Sequence, residues 1–138
     1  MRKTPISASL ALVVLLALAA CGGASGPTKS IQVTMTDFEF SPNAFTVPAG
    51  QDISVQITNN GAVTHTFLIM KAGYQVKDHF KGTDKANVFW AASEVPPGES
   101  VKASFTAPSQ PGEYQIVCGV AGHFEAGMVA KLTVVKGQ

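Results

Sequence analysis

Cys118, His123 and Met128 stand at even spacing in one glycine-rich stretch, Cys118-Gly-Val-Ala-Gly-His123-Phe-Glu-Ala-Gly-Met128, which reads C-x4-H-x4-M. A thiolate, an imidazole and a thioether are donors of graded softness, suited to a soft transition metal and to copper above all. Taken singly, each has an ordinary reading: a cysteine as a small buried hydrophobe, a methionine as core filler, a histidine as a surface residue. Their combination in one short loop, spaced by Gly119, Gly122 and Gly127, is a different matter, because glycines let a short segment turn its side chains toward one point. A trigonal copper site needs one more imidazole, and the chain supplies two candidates, His65 and His79. His65 falls near a strand terminus. His79 lies among Lys77, Asp78 and Lys81 and reads as a solvated loop residue.

The elements that must position these donors are strands. From Ser30 the chain alternates apolar and polar residues with period two and is rich in β-branched and aromatic types. Ile31, Val33 and Met35 share a face; Phe38, Phe40, Phe45 and Val47 follow; then come Ile53, Val55 and Ile57, closed by Asn59-Asn60-Gly61. His65, Phe67 and Ile69 share the face of a run ending at Lys71. Residues 72 to 86 break the pattern as a charged connection or short helix, and Asn87 to Ser93 resumes as a strand, with Phe89 and Trp90 as packing residues. Pro96-Pro97-Gly98 and Pro111-Gly112 turn the chain into Val101–Phe105 and Glu113–Cys118, and Met128 to Val135 completes the set. Seven to eight short strands with turns at about ten-residue intervals predict an all-β, Greek-key β-sandwich. Loops gather at the two ends of such a sandwich, so His65, Cys118 and Met128 can share one end.

The N-terminus has a different character. Met1-Arg2-Lys3, an apolar run from Leu10 to Ala20 and small residues before Cys21 read as a secretory signal of residues 1–20, too short for a spanning helix. Leu18-Ala19-Ala20-Cys21 resembles a bacterial lipobox, which implies cleavage before Cys21, lipid on its sulfur, and an exported protein held on the periplasmic or extracellular face of a membrane. Residues 21–29 read as a flexible tether, and residues 30–138 as one domain. Loss of the signal removes two of ten basic residues, leaving eight against nine acidic ones. No clustered positive patch invites nucleic acid. With Cys21 lipidated, Cys118 is the one remaining thiol, and metal ligation accounts for an unpaired cysteine in an exported domain.

The residues now carry a family resemblance. Phe40-Ser-Pro-Asn43 with Val47-Pro-Ala-Gly50, the strand opening His65-Thr66-Phe67, and Tyr114-Gln-Ile-Val-Cys118 running into C-x4-H-x4-M are similar to the cupredoxins, small type 1 blue copper proteins, and most of all to the auracyanin group. The C-to-H spacing is longer than in plastocyanins and the H-to-M spacing longer than in azurins. The resemblance implies one copper, with His65, Cys118 and His123 as equatorial ligands and Met128 as the axial one. It further implies a monomeric electron carrier, not an enzyme, serving redox proteins such as cytochromes, a reaction centre, an oxidase or a quinol-oxidising complex. Val120, Ala121, Phe124 and Ala126 would form an apolar rim around His123 where such a partner docks. One position departs from the family: Thr66 stands where an asparagine usually braces the cysteine loop. A copper carrier or storage protein is the competing reading, although Met35 and Met70 are few for an open Cu(I) site. Val117 and Gly119 flank Cys118 where multicopper oxidases place histidines, and the loop's single cysteine excludes a binuclear copper domain.

Overall fold

The computed structural model describes residues 26–137; the signal segment and Cys21 lie outside them. Nine strands follow in order: β1 Ser30–Thr36, β2 Glu39–Ser41, β3 Ala44–Pro48, β4 Asp52–Asn59, β5 Leu68–Met70, β6 Val88–Ala91, β7 Ser100–Thr106, β8 Gly112–Val117 and β9 Val129–Val135. They form a four-stranded sheet ordered β2-β1-β4-β7 and a five-stranded sheet ordered β3-β9-β8-β5-β6. One core joins the two sheets, with Ile31, Val33, Ile53 and Ile57 from one facing Val47, Ile69, Ile116 and Leu132 from the other. This is the expected β-sandwich. The count exceeds seven to eight because the stretch through Phe40 and Phe45 splits at Pro42, β2 joining one sheet and β3 the other; proline cannot donate to a ladder and marks such a break.

Alternation sets the register, since a slip of one residue would turn each buried set to solvent. β1 runs parallel to β4, with Met35 opposite Asn59, and β3 parallel to β9. β8 lies between β5 and β9 in antiparallel pairing. The run expected from His65 to Lys71 is a regular strand only over β5; His65 instead makes a lone bridge to Val95. Its side chain keeps the alternation, because His65, Phe67 and Ile69 are all fully buried. The charged connection contains a 3-10 helix, Gly82–Asn87, in which Asp84 accepts from the Lys81 amide and from the Tyr74 hydroxyl. Thr28 and Lys29, read from sequence as tether, bond to the sandwich through Thr28 N to Thr46 O and Ser54 N to Lys29 O, both 2.9 Å.

Phe67 is the aromatic hub between the sheets. Its ring meets Phe40 at 5.5 Å, Phe45 at 6.2 Å and Trp90 at 6.5 Å, all edge-on, and Trp90 stacks on Phe105 at 5.0 Å. Trp90 is thus a packing residue, as expected, whereas Phe89 is 40% exposed and touches Phe105 by its edge. Replacing Phe67 with alanine removes a fully buried ring at a point that three other rings cannot refill. Chemical denaturation of the Phe67→Ala protein should show a loss of about 3–5 kcal/mol.

Candidate metal centre

Antiparallel pairing of β8 with β9 brings Val117 opposite Val129, so the eleven-residue loop of the sequence motif closes at its base. The Cys118 amide donates to the Met128 carbonyl at 3.3 Å, and the Met128 amide to the His123 carbonyl at 3.0 Å. Within the loop, His123 N bonds Val120 O (3.1 Å), Ala126 N bonds Gly122 O (3.1 Å) and Gly127 N bonds Phe124 O (2.9 Å). Gly122 and Gly127 hold φ of 84° and 100°, a region costly for any residue with a Cβ. Gly119 has another reason to be glycine: a Cβ there would lie 2.7 Å from the Leu68 side chain. The loop is therefore a stitched unit that turns Cys118, His123 and Met128 inward, all three buried.

His65 arrives from the neighbouring strand. Leu68 pairs with Val117, and carrying that register two residues further sets Thr66 opposite Gly119, with His65 beyond it. The result is a cluster of three buried donors: His65, Cys118 and His123 place one ligand atom each within 4.8 Å of one another. His65 Nδ1 lies 3.0 Å from His123 Nδ1, which lies 3.4 Å from Cys118 Sγ. His79 is exposed and takes no part.

The protonation of these groups follows from their surroundings. Asp37 Oδ1 lies 2.8 Å from His65 Nε2. The carboxylate holds the ring proton there and leaves Nδ1 with its lone pair facing the cluster. Burial, reinforced by His65, pushes the His123 imidazole below its usual pKa and keeps it neutral. Two imidazole nitrogens and a sulfur converge, with His65 Nδ1 3.0 Å and Cys118 Sγ 3.4 Å from His123 Nδ1 and all three side chains buried. That donor set fits a copper ion: sulfur with two imidazoles, converging, buried and preformed.

Two residues around the cluster carry more than the sequence reading gave them. Thr66 takes the asparagine's place: its hydroxyl accepts from Gly119 N at 2.7 Å, while its own amide points at Cys118 Sγ from 3.4 Å and its hydroxyl from 3.7 Å. Phe38, grouped with the core residues in the sequence reading, sits in the β1–β2 turn, 40% exposed. Its ring lies edge-on over His123 at 4.7 Å and reaches His65 at 6.4 Å. Alternation alone could not reveal this role, because Phe38 follows the end of β1. The Asp37 contact escaped for the same reason. Of the expected apolar rim, Ala121 and Ala126 are exposed, while Val120 and Phe124 are partly withdrawn into the packing. Thr66→Val conserves shape but strands the Gly119 amide. Denaturation of the copper-free variant should show a loss of about 1–3 kcal/mol, the cost of an unpaired, part-buried donor.

The sequence and the fold have known relatives. The cupredoxin-like domain family matches residues 8–134. Auracyanin-A of Chloroflexus aurantiacus is 30% identical, over 86% of this chain and 89% of its own length. The copper-resistant cuproprotein CopI of Rubrivivax gelatinosus is also 30% identical, over 82% of this chain and 70% of its own. The crystal structure of dithionite-reduced auracyanin from Roseiflexus castenholzii superposes with a TM-score of 0.68 at 29% identity, covering 80% of this chain and 99% of that one. A two-sheet sandwich with a buried His-Cys-His cluster, matched over nearly the whole chain, places this protein in the cupredoxin-like family.

Proposed function

We propose that the protein is a blue copper electron carrier whose single type 1 copper is held by His65, Cys118 and His123, with Met128 as the weak axial ligand. The observation that carries this reading is the convergence of three buried donor atoms within 4.8 Å. Copper bound there supplies one-electron chemistry, alternating between Cu(II) and Cu(I). Cys118 must enter as the thiolate, and its sulfur faces the Thr66 amide and hydroxyl, which offset the negative charge. His65 and His123 enter neutral, each offering Nδ1. The stitched loop and the β5–β8 register hold all of these groups in place, so little has to move when the charge changes. The carrier needs no substrate pocket and no open coordination position, which sets it apart from a copper enzyme.

Ala121 and Ala126, with the exposed ring of Phe38, make a low-relief face beside His123. A redox partner docking there would meet a small, transient contact suited to rapid exchange. Export and lipid attachment at Cys21 complete the proposal: residues 1–20 removed, residues 21–29 as the tether, residues 30–138 as the electron-carrying domain. The likeness to the copper-resistant CopI proteins favours a second reading, a carrier that sequesters copper without passing electrons.

The Cu(II)-loaded protein should show an intense visible thiolate-to-copper band that bleaches with ascorbate and returns on oxidation. Cys118→Ser should abolish it and His79→Ala should leave it intact. A colourless wild type that retains Cu(I) would favour the sequestering reading. Ala121→Glu should leave the spectrum unchanged and slow electron exchange with the physiological partner at least tenfold; an unchanged rate would remove the docking face.

A further inference from the structure

We infer that Asp37 is a positioning residue for the copper site: its carboxylate fixes the tautomer of His65 and lowers the reduction potential of the bound metal. The inference rests on the copper reading above and assigns to this chain a device located outside its C-x4-H-x4-M loop.

The contact is built by the fold. β1 and β4 pair in parallel with Met35 opposite Asn59, so extending that register by two residues sets Asp37 opposite Gly61. The turn after β4 is fixed at several points. Asn59, fully buried, donates through Nδ2 to the carbonyls of Val63 and Val95, both at 2.8 Å, and accepts from the Gly61 amide at 2.8 Å. The Asn60 amide donates to Met35 O at 2.8 Å. Both Asp37 oxygens are then engaged: Oδ2 accepts from Ala62 N and Oδ1 from His65 Nε2, each at 2.8 Å. Gly61 makes room for them. A methyl group there would overlap Asp37 Oδ1 and stand 2.9 Å from His65 Nε2.

The chemistry follows from this geometry. Asp37, a carboxylate, is ionised at neutral pH, and both its oxygens accept hydrogen bonds, from the Ala62 amide and from His65. The His65 ring is completely buried, while the Asp37 side chain keeps 28% exposure. An anion bonded to Nε2–H excludes the other tautomer and makes Nδ1 a stronger donor. It also favours the more highly charged oxidation state. An asparagine in its place has one acceptor oxygen: set on His65 Nε2–H, it preserves the tautomer and loses the charge, at the cost of the Ala62 contact.

Asp37→Asn and Asp37→Ala therefore separate the two effects. Ring nitrogen-15 signals of His65 in the copper-free wild type should report Nε2–H; Asp37→Asn should keep that tautomer, and Asp37→Ala should mix it with Nδ1–H. Spectroelectrochemical titration of the copper-loaded proteins should raise the potential in both variants while the visible band is retained. The relative preference for Cu(I) over Cu(II) should grow about tenfold, or about 59 mV for one electron, the size expected of a partly solvated unit charge one ring away. Gly61→Ala, which displaces the carboxylate without removing it, should move the potential in the same direction. An unchanged potential in Asp37→Asn overturns the electrostatic role. Nδ1–H at His65 in the wild type overturns the tautomeric one, and it does so even if the variants fail to fold. A wild type without the visible band would defeat the copper reading instead, and the nitrogen-15 signals would still judge the contact.

Discussion

The site depends on a forced proximity of three buried polar atoms. His65 Nδ1 lies 3.0 Å and Cys118 Sγ 3.4 Å from His123 Nδ1, all three side chains buried, and polar atoms so placed are costly unless a proton or a cation lies between them. A flexible chain could turn a ring outward to water. Here the rings have no such freedom: Asp37 holds one by its far nitrogen, Phe38 lies over the other, and the loop carrying His123 is stitched by its own amides. The sandwich supplies the rigidity.

That rigidity is also what an electron carrier needs. Ligands fixed before the metal arrives cannot rearrange much when its charge changes, so the barrier to transfer stays low. Thr66 shows how a departure from the family pattern is absorbed. Its hydroxyl accepts the Gly119 amide as an asparagine side chain would, and its backbone amide faces the sulfur whatever the side chain.

How much was legible beforehand depended on whether a residue's role is local. C-x4-H-x4-M declared itself because its donors share one loop, and the buried alternation of Ile31, Val33 and Met35 or Ile53, Val55 and Ile57 followed from period two. The identity of His65 as the partner histidine came from its strand and from family likeness. Asp37 and Phe38 were illegible as site residues because their roles depend on a parallel register and a turn, which no local pattern encodes. The same limit hid the split of β2 from β3 and shortened the expected strand at His65 to β5.

The histidine pair spans 58 residues of sequence, and Thr66 reaches Cys118 across 52. Contacts of that range form only after the loop-closure entropy has been met, so the cluster is a product of long-range strand pairing and has no counterpart in the β8–β9 hairpin alone. The loop alone presents one thiol, one imidazole and one thioether, an incomplete and unconstrained set. The donors hang from β5, β8 and β9 of one sheet, and Asp37 reaches His65 from the end of β1 in the other; on the proposed reading, copper acquisition would inspect the five-stranded sheet, and the Asp37 contact its joining to the second.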